Sequence, residues 1–259
     1  MSQTSSYAGK SIIVTGASSG IGEAIAAHFG RAGGRTVLTG RDTGRLEAVA
    51  SGIREAGGTC ITVATELTSD DGPGAIVDAT VTAFGDDIDV LVHSAGIYEP
   101  TPIATTPIEA FDRAYRCNVR APYALTQAAL PHMKPGSTVV FVGSISGHVG
   151  FANESAYAAT KAAVDGMVRA LSVELAVSSG IRVNCVAPGF TATPMNARFR
   201  EGSPDVVARA VNSTLSRRLG DANDVAEAVL YLASADQVYG VVLPVDGGYP
   251  ISSIQSGIG

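Results

Sequence analysis

The run Ser11-Ile12-Ile13-Val14-Thr15-Gly16-Ala17-Ser18-Ser19-Gly20-Ile21-Gly22-Glu23-Ala24-Ile25-Ala26 sets the architecture of the chain. A short β-branched segment enters a glycine turn, and the turn opens at once into a helical pattern. Each glycine answers a steric demand. Gly16 permits a tight bend, Gly20 lets backbone approach a pyrophosphate, and Gly22 lets the helix pack on the strand, while the helix N-terminus favours phosphate charge. A glycine pattern alone is weak, but between a strand and a helix it marks a dinucleotide-binding unit. Ser18, Ser19 and Ile21 complete the turn and join the three glycines as predicted cofactor contacts.

Outward from this unit the pattern repeats. Short apolar runs at Ser11–Thr15, Thr36–Thr39, Cys60–Ala64, Val90–Ser94, Thr138–Val142, Arg182–Ala187 and Val241–Val245 read as strands. Helical patterns fall at Gly20–Ala32, Thr43–Ala56, Asp70–Phe84, Pro107–Leu130, Asn153–Ser178 and Asp221–Leu232. This alternation predicts an α/β fold: a Rossmann-type, doubly wound, seven-stranded parallel sheet with helices on both faces. No linker or repeat interrupts it, so residues 1–259 are expected to form one catalytic domain. Thr191–Arg218 is long, polar and rich in arginine, and is expected to act as a lid.

Composition narrows the function classes. With 46% hydrophobic residues, 16% charged residues and a net charge of -6, the chain has no basic face for nucleic acid. Cys60, Cys117 and Cys185 are odd in number and widely spaced, which argues against a disulfide scaffold or a metal site. Met1 to Lys10 is polar, and no apolar run reaches membrane-spanning length, so a cytoplasmic location is expected.

In dinucleotide folds an acid near the end of the second strand accepts the adenosine ribose hydroxyls and selects NAD(H). This chain has Gly40-Arg41-Asp42 there. Gly40 offers no carboxylate to repel a 2′-phosphate, and Arg41 presents a planar, permanently charged fork that can pair with one, so NADP(H) is favoured over NAD(H). Asp42 alternatively caps the next helix.

Tyr157 and Lys161 are four residues apart in a helical pattern and share a face. Free tyrosine ionises near pH 10, too high for efficient proton exchange near neutrality. An ammonium about 6 Å away, at an effective dielectric of about 20, stabilises a tyrosinate by about 2.8 kcal/mol. Ser144 ends the fifth strand, where ligands bind beyond the strand ends, and its hydroxyl can hold a substrate oxygen while the tyrosine exchanges its proton. Ser146 is a second candidate.

Thr15–Gly22, Asn118, Ser144, Tyr157, Lys161 and Pro188-Gly189, taken in order, resemble the short-chain dehydrogenase/reductase family of single-domain type, over nearly the whole chain. The resemblance implies an oxidoreductase moving a hydride between a nicotinamide cofactor and a carbonyl or secondary alcohol. It gives Tyr157 the general acid/base role, and Lys161 the task of favouring the tyrosinate and binding the nicotinamide ribose. Ser144 positions the carbonyl oxygen, and Asn118 sits at a helix irregularity in a proton relay. Pro188, Gly189, Thr191 and Thr193 match a segment contacting the nicotinamide carboxamide, Thr193 better than Thr191, which implies transfer of the pro-S hydride. Small residues such as Ala121, Ala124, Ala158, Ala162 and Gly166 lie on helices through which the family assembles homotetramers, and a homodimer is the smaller alternative. The Gly/Ser tail after Tyr249 reads as a terminal extension, and Asp246-Gly247-Gly248 as a family-typical turn.

Two departures stand out. The family's Asn-Asn-Ala-Gly is His93-Ser94-Ala95-Gly96 here, keeping Ala95 and Gly96 as cofactor contacts and leaving Ser94 in place of an asparagine. His93 reads as a strand-end histidine with a backbone partner rather than a catalyst; of the other histidines only His148 falls in a cleft loop. The usual Asp after the third strand is Glu66, which with the Leu67 backbone is expected near the adenine. Val142–Phe151, Ile97–Pro100 and Thr191–Leu215 should line a substrate pocket. There Ile97, Tyr98, Val149, Phe151, Met195 and Phe199 suit a neutral small-molecule carbonyl compound, while Arg198, Arg200 and Arg209 keep a 3-oxoacyl substrate in view. The rivals are an NAD-dependent sugar or cyclic alcohol dehydrogenase and a nucleotide-sensing or scaffolding protein. The intact Ser144, Tyr157 and Lys161 argue against the latter.

Overall fold

The period-two alternation of the strands sends successive side chains to opposite faces of one sheet, and each face is buried under helices. The computed structural model describes residues 7–249, apart from the side chains of Arg198 and Phe199. Its elements run β1 (Ser11–Thr15), α1 (Gly20–Arg31), β2 (Arg35–Gly40), α2 (Thr43–Glu55), β3 (Thr59–Ala64), α3 (Gly72–Phe84), β4 (Val90–His93), α4 (Ile108–Tyr115), α5 (Ala121–Ala129), β5 (Thr138–Val142) and α6 (Ser155–Ser179). There follow β6 (Arg182–Pro188), α7 (Ala197–Gly202), α8 (Pro204–Asn212), α9 (Ala222–Ser234) and β7 (Val242–Val245). Among the described residues seven strands form one sheet in the order β3-β2-β1-β4-β5-β6-β7, every pairing parallel.

Ile12, Val14, Leu38, Val92, Val140 and Val186 face a layer that includes Ile25 and Phe29 of α1 and Val225 and Val229 of α9. Their neighbours Ile13, Val37, Leu91, Val139, Phe141 and Val183 face Ile76 of α3, Leu125 of α5 and Val164 and Val168 of α6. Full burial of such side chains contributes about 1.5–3 kcal/mol each, which makes the register expensive to slip. The strand order reverses between β1 and β4, so the loops at their C-terminal ends diverge and open a cleft there.

Two segments differ from the sequence-based reading. The helical pattern read over Pro107–Leu130 is broken by a π-helical turn at Arg116–Arg120 between α4 and α5, which is the helix irregularity that the resemblance implied at Asn118. Pro122 explains the break, because it has no N–H to give the Asn118 carbonyl four residues back, and a regular helix would force its ring against that carbonyl. The expected lid contains α7 and α8 and is anchored at its base, where Thr191 bridges to Gly220. Its composition hid the helices because they are short and follow two prolines, Pro194 and Pro204. The Gly/Ser tail after Tyr249 lies outside the described residues.

Candidate active site

Steric demands at the first turn are severe. Gly16 and Gly20 adopt φ of 66° and 60°, in the left-handed region that favours glycine. A Cβ on Gly22 would sit 2.3 Å from the Gly16 carbonyl oxygen, and one on Gly16 would sit 2.8 Å from the Ala95 Cα. The Thr15 hydroxyl oxygen accepts hydrogen bonds from the Ser94 and Ala95 amides, both at 3.0 Å, and so fixes the β4 loop against the turn. Ser19 precedes α1 without a side-chain cap, leaving that helix end open towards the cleft.

A cleft of about 860 Å³ runs across the C-terminal ends of the strands, a size that suits a dinucleotide with a small substrate. Gly16, Ser18, Ser19, Gly20, Ile21 and Gly22 form its first wall, and Ser94, Ala95 and Gly96 its second. Pro188, Gly189, Thr191 and Thr193 line the side towards the lid, and Ser144, Tyr157 and Lys161 the far end. The glycine cradle, the open helix end and the cleft volume together fit an extended nucleotide whose phosphates rest on α1.

Arg41, Glu66 and Leu67 line the cleft at the end of β2 and β3, together with Arg45, which the sequence reading did not single out. Arg41 is 74% exposed and lies 3.8 Å from the Glu66 carboxylate. Asp42 is turned to its own helix: its carboxylate accepts from the Arg45 amide at 3.0 Å and meets the Arg45 guanidinium at 3.1 Å. Glu66 accepts from the Thr68 hydroxyl at 2.9 Å.

At the other end, α6 carries Tyr157 and Lys161 on one stripe. The Lys161 Nζ sits 5.5 Å from the centre of the Tyr157 ring and donates to the Val142 carbonyl at 3.0 Å. Asn118, in the π-helical turn, is buried behind the cleft wall. Both its N–H donors are engaged, to the Ile97 carbonyl at 3.0 Å and Thr160 at 3.1 Å, and its oxygen accepts from the Ile97 N–H at 2.9 Å. The Ser144 Oγ accepts from the Ser146 amide at 3.1 Å and donates to the Ser146 hydroxyl at 3.2 Å.

The sequence reading missed Glu154. It is buried beside the cleft, three residues before Tyr157, and accepts from Ser146 at 2.8 Å and from the Tyr98 hydroxyl at 2.7 Å. The spacing 154, 157, 161 on one helical stripe was the available signal. Tyr98, expected as an apolar wall, packs its ring edge-on to Tyr157 at 4.9 Å. Burial, and then the Glu154 carboxylate at its hydroxyl, push the Tyr98 phenol well above the usual tyrosine range. Of two tyrosines in the cleft, one is thus kept as a neutral donor.

Other expectations resolve differently. His93 is buried against Phe141, and its partner is the Thr126 hydroxyl at 2.8 Å rather than backbone. Thr126 already donates to Pro122, so it accepts from the His93 Nε2–H. Burial pushes this imidazole down to about 3, keeping it neutral. His148 turns from the cleft to α6, where its Nε2 is 3.3 Å from Asp165. Ile97, Phe151 and Met195 line the cleft, whereas Val149, Arg200 and Arg209 do not, and the Phe199 and Arg198 side chains lie outside the described residues. Arg200 is held by Asn196 at 3.0 Å.

A family model described as Enoyl-(Acyl carrier protein) reductase matches residues 16–250. The chain is 39% identical over 249 residues to cis-4-hydroxycyclohexanecarboxylate dehydrogenase of Sinomonas cyclohexanicum, covering 94% of this chain and 97% of that one. It is 36% identical over 245 residues to 2-(R)-hydroxypropyl-CoM dehydrogenase of Xanthobacter autotrophicus, covering 92% and 97%. Among solved structures, a short-chain dehydrogenase/reductase, glucose/ribitol dehydrogenase, from Brucella melitensis superposes with a TM-score of 0.87 at 32% identity, covering 94% of this chain and 97% of that one. Sequence, sheet order and cleft agree: the chain belongs to the short-chain dehydrogenase/reductase family and is an oxidoreductase acting on hydroxyl and carbonyl groups.

Proposed function

We propose that the protein interconverts a neutral ketone and its secondary alcohol with NADP(H), using Tyr157 as the proton donor and acceptor. The observation that carries this reading is the convergence of Ser144, Tyr157 and Lys161 at one end of a cleft whose other end is a glycine cradle flanked by Arg41 and Arg45. A nicotinamide cofactor, when bound, supplies or accepts the hydride.

The remaining chemistry belongs to the side chains. Ser144 has its oxygen tied to the Ser146 amide and its one proton on the Ser146 hydroxyl at 3.2 Å, a long bond that a substrate oxygen entering the cleft would replace. Tyr157 gives its phenolic proton to that oxygen in reduction and takes it back in oxidation. The Lys161 ammonium, 5.5 Å from the Tyr157 ring and held by the Val142 carbonyl, would bind the nicotinamide ribose beside the tyrosine. Asn118 braces Ile97 and Thr160 behind them and is the inner member of a proton relay. Thr193, Thr191, Pro188 and Gly189 orient the carboxamide. Thr15 holds Ser94 and Ala95 in place beside Gly96 along the cofactor's path, and Glu66 with Leu67 would meet the adenine.

NADP(H) is favoured because Gly40 presents no acid, Asp42 is occupied by its own helix and Arg45, and the exposed Arg41 guanidinium, only loosely paired with Glu66 at 3.8 Å, lines the cleft. A small cyclic alcohol is the second reading for the substrate, favoured by the identity to the hydroxycyclohexanecarboxylate enzyme. Exposed Tyr115, Tyr123, Val173 and Val177 on α4, α5 and α6 support assembly through these helices, as a homotetramer. Its three free thiols suit the cytoplasm. A panel of ketones and alcohols assayed by nicotinamide absorbance with both cofactors tests the reading. Faster turnover with NADPH supports it, and a preference for NADH or no turnover of any member contradicts it.

A further inference from the structure

We infer that Glu154 is a positioning residue for the reaction: its carboxylate, accepting one hydroxyl from the loop after β4 and one from the loop after β5, holds both Tyr157 and Ser144 in place. The inference rests on the proposed roles of those two residues.

Three features carry it. Glu154 occupies the N-cap of α6, a place that the shorter Asp, Asn, Ser and Thr side chains fill best, and makes no bond to the helix's first-turn amides. It reaches instead to two hydroxyls, with Oε2 accepting from Ser146 at 2.8 Å and Oε1 from Tyr98 at 2.7 Å. The chain enters α6 through Asn153 at φ 67°, a left-handed conformation that asparagine tolerates. Local helix stability is thus given up for a contact directed into the cleft.

Each contact ends on a side chain that itself touches a reacting one. Tyr98 stands edge-on to the Tyr157 ring at 4.9 Å, so anchoring its hydroxyl fixes the wall against which that ring rests. Ser146 gives its only proton to the carboxylate, which leaves its oxygen as the acceptor facing Ser144. A carboxylate can accept on both oxygens at once, whereas an amide offers one acceptor and one donor. Glutamine therefore has nearly the same shape but cannot satisfy both hydroxyls in this arrangement. Tyr98 comes from the loop after β4 and Ser146 from the loop after β5, so the acid also ties two loops to the helix bearing Tyr157 and Lys161.

The test is a pair of double-variant cycles. With NADPH and the ketone turned over fastest in the panel, Glu154→Gln should lower kcat by about tenfold, with NADPH affinity and the thermal midpoint nearly unchanged. Ser146→Ala and Tyr98→Phe should each reproduce part of the loss. Adding Glu154→Gln to either should cost clearly less than it does alone, because one partner is already gone. An unchanged kcat in Glu154→Gln overturns the inference, as do effects that multiply independently or a loss of kcat matched by loss of NADPH binding. A neutron structure of the deuterated wild-type protein tests the same arrangement without turnover. It should place the Ser146 and Tyr98 deuterons on the Glu154 side; a deuteron on the carboxylate, or a Ser146 deuteron pointing at Ser144, contradicts it. An inactive panel would refute the proposed reaction, whereas these outcomes bear on Glu154 alone.

Discussion

Replacing Arg41 with alanine should weaken NADPH binding selectively. A hydrogen bond to a charged group contributes about 1.5–3 kcal/mol. Arg41 is 74% exposed and shares its charge with Glu66 at 3.8 Å, so solvent, salt and that carboxylate hold it to the lower end, about 1.4 kcal/mol or tenfold in Kd. NADH has no 2′-phosphate and should lose less than about twofold, since Gly40 and Asp42 keep the rest of the site unchanged. Arg45 lines the same cleft but is also held by Asp42 and would share one phosphate with Arg41, so its loss in the double variant should add less than a further factor of about ten. Titration of both cofactors at low and moderate ionic strength reads this directly, and the NADPH penalty should shrink as salt rises. Equal weakening of both cofactors, or a wild-type preference for NADH, would refute the reasoning.

Other substitutions give separate checks. Gly22→Ala would place a Cβ 2.3 Å from the Gly16 carbonyl oxygen, a backbone atom with nowhere to go, so thermal unfolding should show a loss of about 2–3 kcal/mol, with NADPH binding reduced by a calorimetric titration. Lys161→Ala should lower both kcat and NADPH affinity in steady-state kinetics, since Nζ is buried between the Val142 carbonyl and the Tyr157 ring. His93 is held at about 3 when folded and near 6.5 when unfolded, so below pH 6.5 the unfolded chain binds the extra proton and stability falls with pH until about 3. His93→Gln keeps a donor for Thr126 and should flatten denaturant-measured stability between pH 6 and 4 relative to wild type, by up to about 1.4 kcal/mol per pH unit. An unchanged slope would mean the imidazole titrates normally.

The strands and the first turn were legible because burial on both faces leaves unbroken β-branched runs, and because Gly16, Gly20 and Gly22 meet backbone constraints that no other residue satisfies. The stripe of Tyr157 and Lys161 was legible from helical spacing. The irregularity at Asn118 was legible only through the family resemblance, because the apolar periodicity runs on through it, although Pro122 four residues later was the physical clue. Glu154 was passed over because an acid at a helix start reads as a cap, and only the folded loops bring Tyr98 and Ser146 within reach of it. Arg45 was hidden for a similar reason: it sits inside a helical pattern, and its place at the cleft mouth depends on how α2 leaves β2. Helices α7 and α8 lie in a polar segment too short for a periodic signal.

The most direct measurement is single-turnover hydride transfer by Tyr157→Phe, with NADPH binding measured on the same sample. Loss of a positioned general acid costs about 10²–10⁴-fold. The proposed chemistry predicts a fall of that size with NADPH affinity within about threefold of wild type, because only the phenolic hydroxyl is removed. Hydride transfer at the wild-type rate, with cofactor bound, would take Tyr157 out of the reaction and contradict the proposal.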